Sequence, residues 1–272
     1  MVVQHNMTAM NSNRQLGVTT TAQAKTTEKL SSGFKINRAA DDAAGLTISE
    51  KMRSQIRGLT QASTNAQDGI SCVQTAEGAL GEVHSMLQRM NELAVKSANG
   101  TNTSADRAAI QKEVAALGDE ISRVAQSTQF NTLNLLDGDF NETLQVGAAN
   151  KPAQTINITI SGMSAGSLGV DSAISVGTPD AAKKAIDKIN EAISAVSTQR
   201  SSLGAIQNRL EHTIANLDNV VENTTAAESQ IRDTDMAKTM VEFTKNNILS
   251  QAGTSMLAQA NQSTQNVLSL LG

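Results

Sequence analysis

The sequence predicts a mainly α protein: an elongated, antiparallel, coiled-coil-like helical rod with a small β-hairpin segment and paired terminal helical arms. A seven-residue repeat runs through residues 59–97, with Leu59, Ala62, Ala66, Gly69, Val73, Ala76, Leu80, Val83, Leu87, Met90, Ala94 and Ser97 on its two seam positions. No charged residue falls on that seam, which is the pattern of a long helix in a bundle. Two further seams follow, and both chain ends are nearly bare of charge.

The first 24 residues hold one Asp, Glu, Lys or Arg, which is Arg14, and nothing after Lys245 is charged. Uncharged polar ends often fray. The C-terminal end, however, carries too many apolar positions for a solvated tail, which favours helices that form by packing on each other or on further copies. In residues 30–45, Gly33 and Asn37 suit a bend. Asp41 and Asp42 suit a helix start or ion pairs better than acid–base chemistry, because no companion base accompanies them.

The long helix is expected to begin near Thr47 and to end at Ala98-Asn99-Gly100, with Gly100 in the left-handed capping position. At about 1.5 Å per residue, residues 59–97 span roughly 55 to 60 Å. Truncating Leu80 or Leu87 to Ala is expected to cost about 2–5 kcal/mol once both are buried. A second helix starts at Thr103 or Ser104 with Asp106 supporting the cap. Its seam is Ile110, Val114, Leu117, Ile121, Val124 and Thr128, and the short turn before it folds it back antiparallel. Residues 155–160 alternate strictly, and Leu144 and Val146 form a matching run, so a small hairpin is expected. Thr178-Pro179-Asp180 opens the third long helix. Its seam is Ile186, Ile189, Ile193, Val196, Arg200, Leu203, Gln207, Leu210, Ile214, Leu217, Val221 and Thr224, with Arg200 and Gln207 as polar exceptions that set register.

Composition narrows the function. Without Trp or Tyr and with four Phe, the core must be aliphatic. A net charge of −4 without a basic block argues against nucleic-acid binding. The single Cys72 leaves no internal disulfide and reads as a small buried hydrophobe. No stretch has the length of a membrane span, and MVVQHNMTAM lacks the features of a signal peptide, so export would need a specialised route. His5, His84 and His212 have no partners at metal-ligand spacing, and no phosphate-binding or nucleophile-elbow motif occurs. The expectation is no enzyme and no cofactor. Two bare arms suit heterologous contacts, which build open helical polymers.

At this point the residues resemble a family closely. The blocks LSSGFKINRAADDAAGLTISEKM (30–52), GLTQASTNAQDGIS (58–71), LQRMNELAVKSANGTNT (87–103), TQFNTLNLLDG (128–138), LGAIQNRLEHTIANL (203–217) and ILSQAGTSMLAQANQSTQNVLSLLG (248–272) are those of the bacterial flagellins. The resemblance implies a secreted structural subunit that polymerises into the extracellular flagellar filament for motility. It implies a division into an N-terminal arm and connector of the inner tube (1–45), the N-terminal half of the rod domain (46–138), a short hairpin and loop segment replacing the variable domain (139–177), the C-terminal half of the rod domain (178–230) and a C-terminal arm (231–272). The expected partners are further copies of the chain, a flagellar export chaperone, the filament cap and hook-junction proteins, and Toll-like receptor 5 of a host. Type III export is implied without a cleaved signal. Polymerisation is assigned to Met7, Met10, Leu16, Leu30, Ile248, Leu249, Met256, Leu257, Val267, Leu268 and Leu271. The family's receptor motif matches at Gln88, Arg89, Glu92 and Leu93, with Ile110 and Glu113, and departs from it at Met90-Asn91. Truncating Arg89 or Leu93 is expected to weaken receptor activation without unfolding the rod. The hook-to-filament junction protein shares the terminal pattern, but the ANQSTQNVLSLLG ending favours the filament subunit. A metal enzyme in the variable region is disfavoured, since residues 139–177 hold no His or Cys.

Overall fold

The computed structural model describes residues 6–172 and 174–271, with side chains through Ser263. Five helices dominate: α1 (Met7–Ser32), α2 (Ala43–Ala98), α3 (Ser104–Ser127), α4 (Pro179–Arg232) and α5 (Met236–Leu271). Two antiparallel pairs, β1 (Gln129–Phe130) with β2 (Leu133–Asn134) and β3 (Asn141–Gln145) with β4 (Thr155–Thr159), lie between α3 and α4. The chain divides into two compact units, one of Met1–Ser54 with Glu222–Gly272 and one of Gln55–Val221.

In the second unit every seam position of α2 from Leu59 to Ser97 is buried. Charge stays outside because desolvating an ion costs more than this packing returns. The helix starts four residues before Thr47, since Asp42 caps it: Gly45 N donates to Asp42 Oδ1 at 2.9 Å. Its C-terminus also differs from expectation. Gly100 is not left-handed; instead Arg107, almost wholly buried, donates to the carbonyls of Ser97 (3.0 Å), Asn99 (2.9 Å) and Asn102 (2.8 Å). One guanidinium thus satisfies the orphan carbonyls that a glycine cap otherwise would.

α3 begins with the expected capping box between Thr103 and Asp106. It runs antiparallel to α2, as the Arg89–Glu113 pair shows. α4 starts with Pro179 at its first position and Thr178 Oγ1 accepting from Ala181 N at 3.3 Å. It is antiparallel to α2 through Ser63–Asp218 (3.2 Å) and Glu77–Arg200 (2.6 Å). The column Ile189, Val196, Leu203, Leu210, Leu217 is buried as expected. The other column is rotated: Ala185, Ala192 and Ile206 are the buried residues, while Ile186, Ile193, Arg200, Gln207 and Ile214 are half-buried at its edge.

The non-helical segment closes this core. Ile156 and Ile158 of β4 face inward, with Leu135, Leu136, Ile160, Val170 and Val176 buried in the flanking loops. Leu144 of β3 packs on α2 at Gly69, where a Cβ would collide with Leu144 Cδ1. Gln111 pins the return strand-like stretch, accepting from Val176 N (2.6 Å) and donating to Ile174 O (2.8 Å). Cys72 is buried, and burial pushes its thiol up, as suits an inert hydrophobe.

The β1–β2 hairpin was not expected. Its register pairs Phe130 with Leu133, so Asn131 and Thr132 form a two-residue loop with φ of 47° and 68°. That is a type I′ turn, which favours Asn-Gly. A β-branched residue in the left-handed region is strained, and Thr132 is exposed with no packing to offset it. Thr132→Gly is therefore expected to raise stability by about 1 kcal/mol in denaturant titration. Lower stability would contradict the turn assignment.

Candidate assembly surface

The first unit pairs the two terminal arms, α1 and α5, antiparallel. Asn6 caps α1 by accepting from Ala9 N at 3.0 Å and reaches across to donate to Ala260 O at 3.0 Å. Midway, Leu16 lies against Gly253, where a Cβ would stand 3.2 Å from Leu16 Cδ1. At the far end α1 stops at Gly33, whose φ of 76° gives the left-handed cap.

The roots of the arms are tied there. Lys35 N donates to Arg232 O (2.6 Å), Thr234 N donates to Gly33 O (2.9 Å), and Phe34 bridges to Asp233. The Arg232 guanidinium stacks 4.7 Å from the Phe34 ring centroid and binds Glu50 Oε1 at 2.7 Å. Asp235 then caps α5 by accepting from Lys238 N at 3.0 Å.

The facing sides of the arms mix small and polar residues with a few apolar ones, among them Leu16, Leu30, Phe243 and Ala260. Ser12, Leu16, Thr19 and Thr26 of α1 meet the side of α5 that carries Thr239, Asn246, Ser250, Gly253 and Leu257, all buried or half-buried. The outward sides carry polar residues and, among them, a set of exposed apolar ones: Met7, Met10, Val18, Met240, Val241 (70% exposed), Ile248 (60%), Leu249 and Met256 (61%). An amphipathic pair that stood alone would bury such residues and expose only polar groups. An exposed apolar surface of this extent marks an interaction site.

Of the residues assigned to polymerisation from sequence, Met7, Met10, Ile248, Leu249 and Met256 point outward. Leu16, Leu30 and Leu257 are half-buried. Val267, Leu268 and Leu271 lie outside the described side chains. Val18, Met240 and Val241 were missed. The last two sit among Lys238, Glu242 and Lys245, so a search for charge-free stretches passed over them, although Val241 and Ile248 are seven residues apart on one stripe.

The residues matched to the receptor motif gather where α2 and α3 meet. Arg89 donates through Nε and Nη2 to Glu113 Oε1 (3.1 and 2.9 Å) and through Nη1 to Glu92 Oε2 (3.1 Å). Glu113, and Glu92 after it, hold the guanidinium above its ordinary range. Gln88 Nε2 is 3.0 Å from His84 Nε2 on the same exposed face. Leu93 and Ile110 lie underneath, in the hydrophobic core at 3% and 6% exposure. They support the face from below and offer little surface to a partner. Truncating Leu93 therefore removes core packing as well as any surface it offers a partner, so its effect on stability has to be measured beside its effect on binding.

Among the described residues, no three His, Cys, Asp or Glu side chains gather at metal-binding distance, and no helix is long and apolar enough to cross a membrane.

Comparison with known proteins accounts for this arrangement. The bacterial flagellin N-terminal helical region matches residues 3–141 and the bacterial flagellin C-terminal helical region matches residues 186–271. A flagellin of Halalkalibacterium halodurans is 56% identical over all of both chains. The flagellar filament 31.3 kDa core protein of Treponema maltophilum is 53% identical, again over all of both. The crystal structure of Bacillus cereus flagellin superposes with a TM-score of 0.50 at 30% identity, covering 57% of this chain and 88% of that one. With both terminal regions matched in order and relatives alike from end to end, the chain belongs to the bacterial flagellins.

Proposed function

We propose that copies of this chain bury the outward apolar sides of α1 and α5 against one another, and that the resulting polymer is the extracellular flagellar filament that drives motility. As a flagellin the chain is a structural filament subunit and not an enzyme. The observation that carries the reading is the exposed apolar set on the arms: Val241, Ile248 and Met256 stand in solvent on α5, and Met7, Met10 and Val18 on α1. Apolar surface of this size is stabilised only by a partner that covers it. In this reading residues 1–45 and 231–272 form the inner tube, 46–138 and 178–230 the surrounding rod domain, and 139–177 stand in for a variable domain. Secretion runs through the flagellar type III apparatus, a chaperone covers the C-terminal arm before export, and the cap and hook-junction proteins bound the polymer. The exposed Gln88, Arg89, Glu92 and Glu113 form a surface for Toll-like receptor 5, with Leu93 and Ile110 as its floor.

Electron microscopy of the purified chain after seeding, beside a version lacking residues 1–33 and 236–272, tests the assembly. Filaments are expected from the full chain alone. Filaments from the armless version would refute the role given to α1 and α5.

A further inference from the structure

Charge, as well as apolar surface, is divided unevenly within the arm-bearing unit. Residues 1–54 hold seven basic against four acidic side chains, and residues 222–272 hold three against five. Lys25 and Lys29, one turn apart on α1, and Lys35 just past its cap surround a recess of about 370 Å³ that also includes Ile36, Asp41 and Asp42. Its two carboxylates are already engaged by backbone. Asp41 Oδ2 accepts from Arg38 N (3.1 Å) and Asn37 N (3.2 Å), which together with the weaker pull of the nearby Lys25 and Lys29 charges holds that carboxyl below its usual range, and Asp42 Oδ1 accepts from Gly45 N. None of the three ammonium groups makes an ion pair among the described residues.

On the C-terminal side of the same unit, Glu222, Asp233 and Asp235 are exposed and Glu228 is half-buried. Arg232, the cation in their midst, is committed to Glu50. No ion pair joins these carboxylates to the lysine recess within one copy. The two surfaces adjoin in one copy at the Lys35–Arg232 backbone bond without an ion pair between them; their opposite signs are complementary between copies, and a contact between two different surfaces is heterologous, the kind that propagates without closing.

We propose that the Lys25–Lys29–Lys35 recess of one copy receives the acidic edge at residues 228–235 of a neighbouring copy, so that electrostatic pairing fixes the lateral register of the arms. The proposal rests on the filament reading and adds its ionic contact. A second copy is the occupant because the complementary charge lies on this same chain. Lys29 supports the C-terminal turn of α1 and Asp235 caps α5, so neither enters the test.

The test uses two full-length variants, Lys25→Glu/Lys35→Glu and Glu228→Lys/Asp233→Lys, polymerised from wild-type seeds at low ionic strength and assayed by sedimentation. Each alone is expected to raise the critical concentration at least tenfold, since reversal turns attraction into repulsion. An equimolar mixture is expected to recover to near the wild-type value, because each reversed recess then meets a reversed edge. Circular dichroism confirms equal helix content. If a reversed chain loses helix, Lys25→Gln/Lys35→Gln replaces it, with a several-fold effect at low salt that fades at high salt. Wild-type polymerisation by either reversed chain, no rescue on mixing, or no effect of the Gln variant would overturn the contact. A wild-type chain that does not polymerise would remove the filament reading and the contact with it.

Discussion

Val241→Asp combined with Ile248→Asp is expected to abolish filament formation while leaving the arms folded. Both side chains lie on the outward side of α5, at 70% and 60% exposure. In the isolated chain the cost is small, because Val, Ile and Asp have similar helix propensities and the sites are exposed. In a polymer the same carboxylates must enter an apolar contact without a partner. Burying an unpaired charge costs several kcal/mol per ion even after relaxation. Repeated at each subunit, that outweighs any plausible gain per contact, so the loss should be complete and not graded. Sedimentation after seeding reads assembly, and circular dichroism reads the fold. Normal filaments from a folded double variant would place the assembly contacts elsewhere and remove the significance of the exposed apolar residues on α5.

Which side of each arm stays open is the part of the assembly surface that the sequence hides. Charge normally tells which side of a helix meets water, but the first 24 residues hold only Arg14 and nothing after Lys245 is charged. With Asn, Gln, Ser and Thr interspersed among Met, Ile and Leu, either orientation is conceivable from pattern alone. The helices α2 and α4 are the opposite case. The seam of α2 was legible to the last residue, because charges such as Asp68, Glu77 and Glu82 mark the outside at each turn. In α4 the isoleucines drew attention to one flank, whereas the buried column is built from Ala182, Ala185 and Ala192, whose single methyl groups give little hydrophobic signal yet permit close approach. The β3–β4 hairpin announced itself through the alternation of residues 155–160. The β1–β2 pair did not, since two-residue strands have no period to read and its turn lacks the glycine that such a turn favours. The cap at Arg107 was equally silent, because three carbonyls converging on one guanidinium depend on how the turn folds and not on any spacing.

Leu87→Ala should lower the unfolding free energy by about 2–5 kcal/mol, the range for truncating a leucine in a core that collapses only partly. Leu87 is 0% exposed within the cluster that α2, α3 and α4 share, flanked along the seam by Leu80, Val83 and Met90, also at 0%. Leu93, one and a half turns further on, belongs to the same cluster, so Leu93→Ala should fall in the same range. That fixes how the receptor face has to be tested. A loss of Toll-like receptor 5 activation in Leu93→Ala could follow from a loosened core, whereas Arg89 lies on the surface and pairs with Glu92 and Glu113 there. Arg89→Ala should leave the guanidinium chloride midpoint near that of the wild type, because exposed ion pairs contribute little, yet reduce activation by removing the charge and the fork that orders both glutamates. Unchanged activation by a folded Arg89→Ala protein would refute the receptor assignment. An unfolding midpoint for Leu87→Ala equal to the wild type would refute the packing of the rod on which that face stands.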